Sequence, residues 1–213
     1  YQKRFIELAL KKGALKFGSF VLKSGRVSPY FFNAGAFCTG EDLKILGSCY
    51  AQAFVASNLN CDVLFGPAYK GIPLACATAM ALSYEHHKNL PWCFNRKEQK
   101  DHGEGGMLVG TPLSGEVILI DDVITAGTAI RQSSELIHKC GATLKSALIA
   151  LDRMEKGQHE LSAVEEVKQN LKIDVHAIVS FDDLLRFIQD SSVLSAHEKD
   201  MLEYREQYGA AQP

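Results

Sequence analysis

Residues 117–129, VILIDDVITAGTA, restrict the possible folds more than any other stretch of this chain. Val117, Ile118, Leu119 and Ile120 run without interruption into Asp121 and Asp122. A strand solvated on one face alternates apolar and polar residues. An unbroken apolar run that stops abruptly at acids is the pattern of a parallel strand buried on both faces. Such a strand needs helices on each side of its sheet, so the stretch predicts an α/β fold with a largely parallel central sheet. The turn Thr125-Ala126-Gly127-Thr128 and the helical spacing of Ile130, Leu136 and Ile137 follow directly. Ligands of parallel sheets bind beyond the carboxyl ends of the strands. There the turn offers backbone N–H groups and hydroxyls to a phosphate. The two carboxylates suit what a phosphate does not satisfy: sugar hydroxyls or a hydrated Mg²⁺. Together these parts describe a site for a phosphorylated sugar. A P-loop is excluded, since it requires a Gly-Lys pair and the chain has none. Any one of these residues alone reads as a strand cap or a tight turn. The run as a whole does not, because adjacent acids repel unless a ligand or cation compensates.

The rest of the chain keeps the alternation. Helices are predicted over 2–12, 41–57 and 73–86, then up to Lys139, and over 160–171, 181–189 and 197–208. Strands are predicted over 62–65, 92–95, 117–120, 144–151 and 175–179. Short extended pieces over 17–22 and 30–33, with the leading helix, read as a hood-like extension spanning 1–38. At 213 residues the chain fits a single domain. Its formal net charge of −2 provides no global field to recruit nucleic acid. The six scattered cysteines, with no C-x-x-C pair, read as free thiols of a reducing compartment. No stretch reaches the ~20 apolar residues of a membrane span, so a soluble cytoplasmic protein is expected.

Three further segments bear on chemistry. Gly66-Pro67-Ala68-Tyr69-Lys70-Gly71 follows a predicted strand and precedes a helix, a second place where backbone N–H groups and a cation would meet an anion. In isolation it would be a Gly-Pro turn with a solvated lysine. Asn95 to Gly115 is a long polar connection with five glycines and the cluster RKEQKDH. Loops of that length are lids, binding loops or solvated excursions, and a cationic lid would exclude water from a pyrophosphate. Arg153 closes the strand LIALDR at the same sheet edge, where a guanidinium suits a bidentate grip on a carboxylate.

VILIDDVITAGTA resembles the phosphoribosyl-pyrophosphate (PRPP) loop of the type I phosphoribosyltransferase family, and RKEQKDHGEGG resembles the mobile catalytic loop of its bacterial orotate-using members. The matches run from Tyr1 to YREQYG near the C-terminus. The resemblance implies the type I fold with a small N-terminal hood and a mobile catalytic loop over 96–115. It implies a reaction of PRPP with orotate, helped by Mg²⁺ held mainly by PRPP and water near Asp121 and Asp122, with no side chain ligating the metal directly. PRPP contacts would be Lys23, Tyr69, Lys70, Arg96, Lys97, Lys100, His102, Asp121, Asp122, Val123, Ile124, Thr125, Ala126, Gly127, Thr128 and Ala129. Lys100 and Asp122 would be catalytic. Arg96, Lys100 and His102 would reach the partner's site in a homodimer. Phe31, Phe32, Thr125 and Arg153 would bind orotate, although from the residues alone Phe31 and Phe32 read as core-filling strand aromatics. Thr125 stands where purine-using relatives usually carry an Asp base, and a threonine is no general base near neutral pH. The rivals are a phosphoribosyltransferase for uracil or a purine, and a PRPP-sensing regulator without chemistry.

Overall fold

The computed structural model describes residues 1–22, 24–125, 127–157 and 160–210 apart from 101–105, with only the backbone of Gln99 and Lys100. The expected alternation is present. Strands β3 (Val63–Gly66), β4 (Trp92–Lys100), β6 (Glu116–Asp121), β7 (Thr143–Asp152) and β8 (Asp174–Ser180) run parallel, and β5 (Gly106–Gly110) is antiparallel at one edge, in the order β5-β4-β3-β6-β7-β8. Alternate side chains of the central strands enter two separate cores. Leu64, Ile118, Ile120 and Leu148 pack with α2 (Gly40–Ala56) and α3 (Gly71–His86) on one face. Val63, Phe65, Val117 and Leu119 pack with α4 (Thr128–Lys139) and α5 (Ala163–Leu171) on the other. Burial on both faces is why these strands read as unbroken apolar runs.

The chain leaves β3 toward β4 on one side and leaves β6 toward β7 and β8 on the other. The strand order therefore reverses between β3 and β6, the position at which doubly wound sheets bind ligands. Gly47 lets α2 lie against α3, since a Cβ there would come within 2.8 Å of the Ala77 carbonyl carbon.

The N-terminal extension consists of α1 (Gln2–Lys11), which buries Phe5, Ile6 and Ala9, and an antiparallel pair, β1 (Leu15–Val21) and β2 (Val27–Phe32). Helix α6 (Phe181–Gln189) follows β8 directly, and α7 (Glu198–Tyr208) packs against β2 and α6.

One expectation is corrected. The segment after Asn95 is not irregular throughout: Arg96, Lys97 and Glu98 continue β4, and Gly106–Gly110 returns as β5, pairing Cys93 with Gly110 and Lys100 with Gly106. Beyond Phe94 the strand has left β3; Lys97 and Glu98 are exposed, while Met107, Leu108 and Val109 of β5 are half-buried, with Leu108 against the core. Charged residues tolerate that position, and no apolar alternation marks it in the sequence.

Helix α2 starts at a reciprocal capping box between Thr39 and Asp42, and the Lys12 Nζ lies 2.8 Å from Asp42 Oδ1. The Lys12 ammonium, with the Thr39 bonds, holds the Asp42 carboxyl at about 2 against an ordinary 3.8. A depressed carboxylate stabilises the fold above its unfolded pKa and loses that contribution as pH falls through the folded one. Urea midpoints of the native chain should therefore drop between pH 3.8 and about 2. Lys12→Met should lower the midpoint at neutral pH and flatten the fall over that window; an unchanged acid profile would refute this role for the pair.

Candidate active site

Strand β6 delivers Asp121 and Asp122 to the sheet edge, and the loop after β3 delivers Lys70 beside them. Lys70 Nζ donates to Asp122 Oδ2 at 2.7 Å, closing the switch point with one ion pair. Asp122 is 6% exposed, and its backbone is locked by Ala150 N–H donating to its carbonyl at 2.9 Å. Its Oδ1 accepts from Val123 N–H at 2.9 Å, and Asp121 Oδ1 accepts from Asp122 N–H at 2.9 Å. Tyr50, from within α2, donates its hydroxyl to the Asp121 carbonyl at 2.7 Å.

The adjacent acids are short of positive charge. Burial pushes the Asp121 carboxyl up to about 7, and the Asp122 carboxylate adds to the push, against a smaller opposing pull from Lys70. A pair in which one member is held near neutrality favours a cation or a hydroxyl donor from a ligand. Among the described residues no group of three or more His, Cys, Asp or Glu is placed to hold a metal ion. The adjoining carboxylates of Asp121 and Asp122 suit the water shell of a hydrated cation.

Beyond Asp122 the chain reaches Gly127, which has a left-handed φ of +67° and precedes α4 without any side-chain cap. Helices α2, α5 and α6 all start with capping boxes. Among the described residues the start of α4, like those of α1, α3 and α7, has no side-chain cap, and its position beyond Asp122 suits an incoming phosphate.

The loop after β3 is fixed by close packing. A Cβ on Gly71 would come within 2.8 Å of the Ile120 carbonyl and would collide with Pro67. Asn95 Oδ1 accepts from Ala68 N–H at 3.0 Å, tying this loop to β4. Lys97 places its ammonium 4.6 Å from the centre of the exposed Tyr69 ring, and Arg96 Nη1 donates to the Gly106 carbonyl at 3.2 Å.

The expected phenylalanine pair is divided by strand alternation. Phe31 is 39% exposed and meets Phe20 at 5.6 Å between ring centres, whereas Phe32 turns to the core and meets Phe5 at 6.1 Å. Arg153 stands at the carboxyl end of β7, with its Nε donating to Glu155 Oε1 at 2.8 Å. Asp121, Asp122, Tyr69, Lys70, Arg96 and Lys97 thus lie on adjoining strand ends and loops, with Val123, Ile124, Thr125, Gly127, Thr128 and Ala129 leading into α4. Lys23, His102, Ala126 and the side chain of Lys100 lie outside the described residues. Sequence reasoning missed Tyr50, Asn95 and Glu155. The first two act across long separations and leave no local signal, while Glu155 stands two residues from Arg153 in plain view.

Residues 43–184 match the model of the phosphoribosyl transferase domain. The chain is 58% identical over 209 residues to the orotate phosphoribosyltransferase of Proteus mirabilis, covering 98% of both chains. Identity to the enzyme of that name from Cronobacter sakazakii is 56%, with the same coverage. In three dimensions it is similar to the orotate phosphoribosyltransferase of Francisella tularensis, with a TM-score of 0.87 and 40% identity over 97% of this chain and 99% of that one.

Overpacking the Gly71 contact is expected to cost about 1–3 kcal/mol. Gly71→Ala should show this loss in urea denaturation. Native stability in that variant would mean that the loop yields freely and that its position is not set by packing.

Proposed function

This chain belongs to the orotate phosphoribosyltransferase family, which transfers the phosphoribosyl group of PRPP to orotate to give orotidine 5′-monophosphate and pyrophosphate in pyrimidine biosynthesis, and we propose how its residues divide that work. The observation that carries the assignment is the Lys70–Asp122 contact at the switch point. PRPP presents its pyrophosphate and its ribose hydroxyls on neighbouring carbons. A cation from one loop and a carboxylate from the next, one hydrogen bond apart, suit those two groups. Membership of the orotate-using family sets aside the uracil, purine and regulator rivals.

Breaking the C1–pyrophosphate bond builds positive charge on the ribose and negative charge on the leaving group. Placed charges and exclusion of water lower that barrier. Asp121 and Asp122 hold the ribose hydroxyls, directly or through water around the metal. Residues Val123 to Ala129 hold the 5′-phosphate at the start of α4. Tyr69, Lys70 and Lys97 engage the pyrophosphate, joined by Lys23 and, from the partner subunit's lid, the residues equivalent to Arg96, Lys100 and His102. Lys100 acts chiefly as charge develops. The Phe31–Phe32 segment, Thr125 and Arg153 place the orotate nitrogen over C1. Mg²⁺, when bound, supplies charge neutralisation to the pyrophosphate; the buried acid pair at Asp121 and Asp122 fits its hydration shell.

Helix α3 supports the homodimer. Its buried side carries Leu74, Ala75 and Leu82, yet its outer side carries Met80 at 68% and Tyr84 at 88% exposure, one turn apart. An exposed apolar stripe on an otherwise buried helix suits a subunit interface. All six cysteines are free thiols, which supports a reducing cytoplasmic setting. Among the described residues no helix is long and apolar enough to cross a membrane.

Orotate absorbance should fall when the protein meets orotate, PRPP and Mg²⁺, and should stay constant when a chelator is present. Uracil, hypoxanthine and adenine in parallel should give no product. Turnover with any of them would overturn the base assignment, and chelator-resistant turnover the metal assignment. Shared sites predict subunit complementation between the inactive variants Lys100→Ala and Asp122→Asn. Random re-pairing makes about half the dimers mixed, each with one intact site of two, so about a quarter of native activity should return. No recovery despite demonstrated subunit exchange would exclude a lid that crosses subunits.

A further inference from the structure

Arg153 is already held on three sides. Its Nε donates to Glu155 Oε1 at 2.8 Å, and its Nη2 lies 2.6 Å from the same oxygen. Nη2 also donates to Ser28 Oγ at 3.1 Å, and the guanidinium carbon sits 4.2 Å from the centre of the Tyr30 ring. The Tyr204 side chain also faces the guanidinium and Ser28. The Nε–Nη2 edge, one of the two edges that grip a carboxylate bidentately, is therefore occupied by a carboxylate of the chain itself.

Glu155 is fixed in turn from behind. Tyr30 Oη donates to Glu155 Oε1 at 3.5 Å, and burial pushes the Tyr30 phenol well up, so it remains a donor. Residues 154–156 pair with the chain beyond α7: Glu155 stands opposite Gly209, Lys156 N–H donates to the Tyr208 carbonyl at 2.8 Å, and Ala210 N–H donates to the Met154 carbonyl at 2.9 Å. Arg26, just before β2, donates to the Lys156 carbonyl at 2.9 Å and lies over the Tyr208 ring at 4.9 Å. The cavity between Arg153, Glu155, Phe181 and Tyr204 is about 10 Å³. That is barely room for one water, so the guanidinium is closely packed on this side.

We infer that Glu155 is the positioning residue of the orotate site: braced by the segment after α7, it occupies the Nε–Nη2 edge of Arg153 and fixes the guanidinium so that the rest of the group is presented to substrate. This rests on the reading of Arg153 as an orotate contact. Arg153 and Glu155 side chains are 15% and 14% exposed. Without its acid, Arg153 would be a nearly buried cation lacking a counter-charge, and it would turn toward water or another acid instead of waiting for orotate. Orientation is thus set before substrate arrives, at the cost of a full fork–fork grip.

Steady-state kinetics of Glu155→Gln, Arg153→Ala and the double variant test this. Glu155→Gln keeps the side chain's size and removes its charge. It should raise the orotate KM by about tenfold or more while the PRPP KM stays within about twofold. The double variant should be no worse for orotate than Arg153→Ala alone, since Glu155 acts only through Arg153. An orotate KM that falls or stays fixed in Glu155→Gln would overturn the inference, as would equal rises in both KM values or additive losses in the double variant. If Arg153→Ala itself leaves the orotate KM unmoved, the assignment of Arg153 fails and the inference fails with it. If Arg153→Ala raises that KM and Glu155→Gln does not, only the positioning role fails.

Discussion

One ion pair, Lys70 to Asp122, marks where the two halves of the sheet meet. Its existence depends on several earlier conditions. Strand β6 must be buried on both faces, so that its run can end in acids only where the sheet itself ends. The chain must turn one way after β3 and the other way after β6, so that two loops share one crevice. Gly71 must bring the first of those loops against the Ile120 carbonyl without a side chain between them. Remove any of these and the lysine and the acid are held by separate loops with no common ligand.

The electrostatics of the crevice follow from the same packing. Asp121 is pushed up to about 7 because burial leaves its charge poorly solvated and the Asp122 carboxylate repels it. Stability alone would favour replacing one of these acids. Their retention beside an uncapped helix start makes sense as readiness for a ligand that brings hydroxyls, anionic oxygens and a cation together.

Much of this was legible from residue order. The central strand announced itself because no polar residue breaks it before Asp121, and Gly127 before Thr128 gave the phosphate turn. Strand β5 and the outer part of β4 were not legible, because the outer β4 residues are charged and β5 is only half-buried, so neither shows a clean alternation. Phe31 and Phe32 were legible as a strand pair, but which ring enters the core depends on where the hairpin packs. The bond from Tyr50 to Asp121 spans 71 positions and leaves no mark near either residue. Arg153 looked like an open fork because its partner, only two residues away, reaches back to it solely when the chain leaves β7 as it does here.

The pairing of Met154, Glu155 and Lys156 with Tyr208, Gly209 and Ala210 ties the loop after β7 to the far end of the chain. All six strands of the sheet, and Asp121 and Asp122 with them, lie before α6 in the sequence. The support behind Arg153 comes instead from the end of α7 and the residues after it. A chain cut just before Tyr208 would keep every strand of the sheet and lose the backbone bonds that hold residues 154–156 in place.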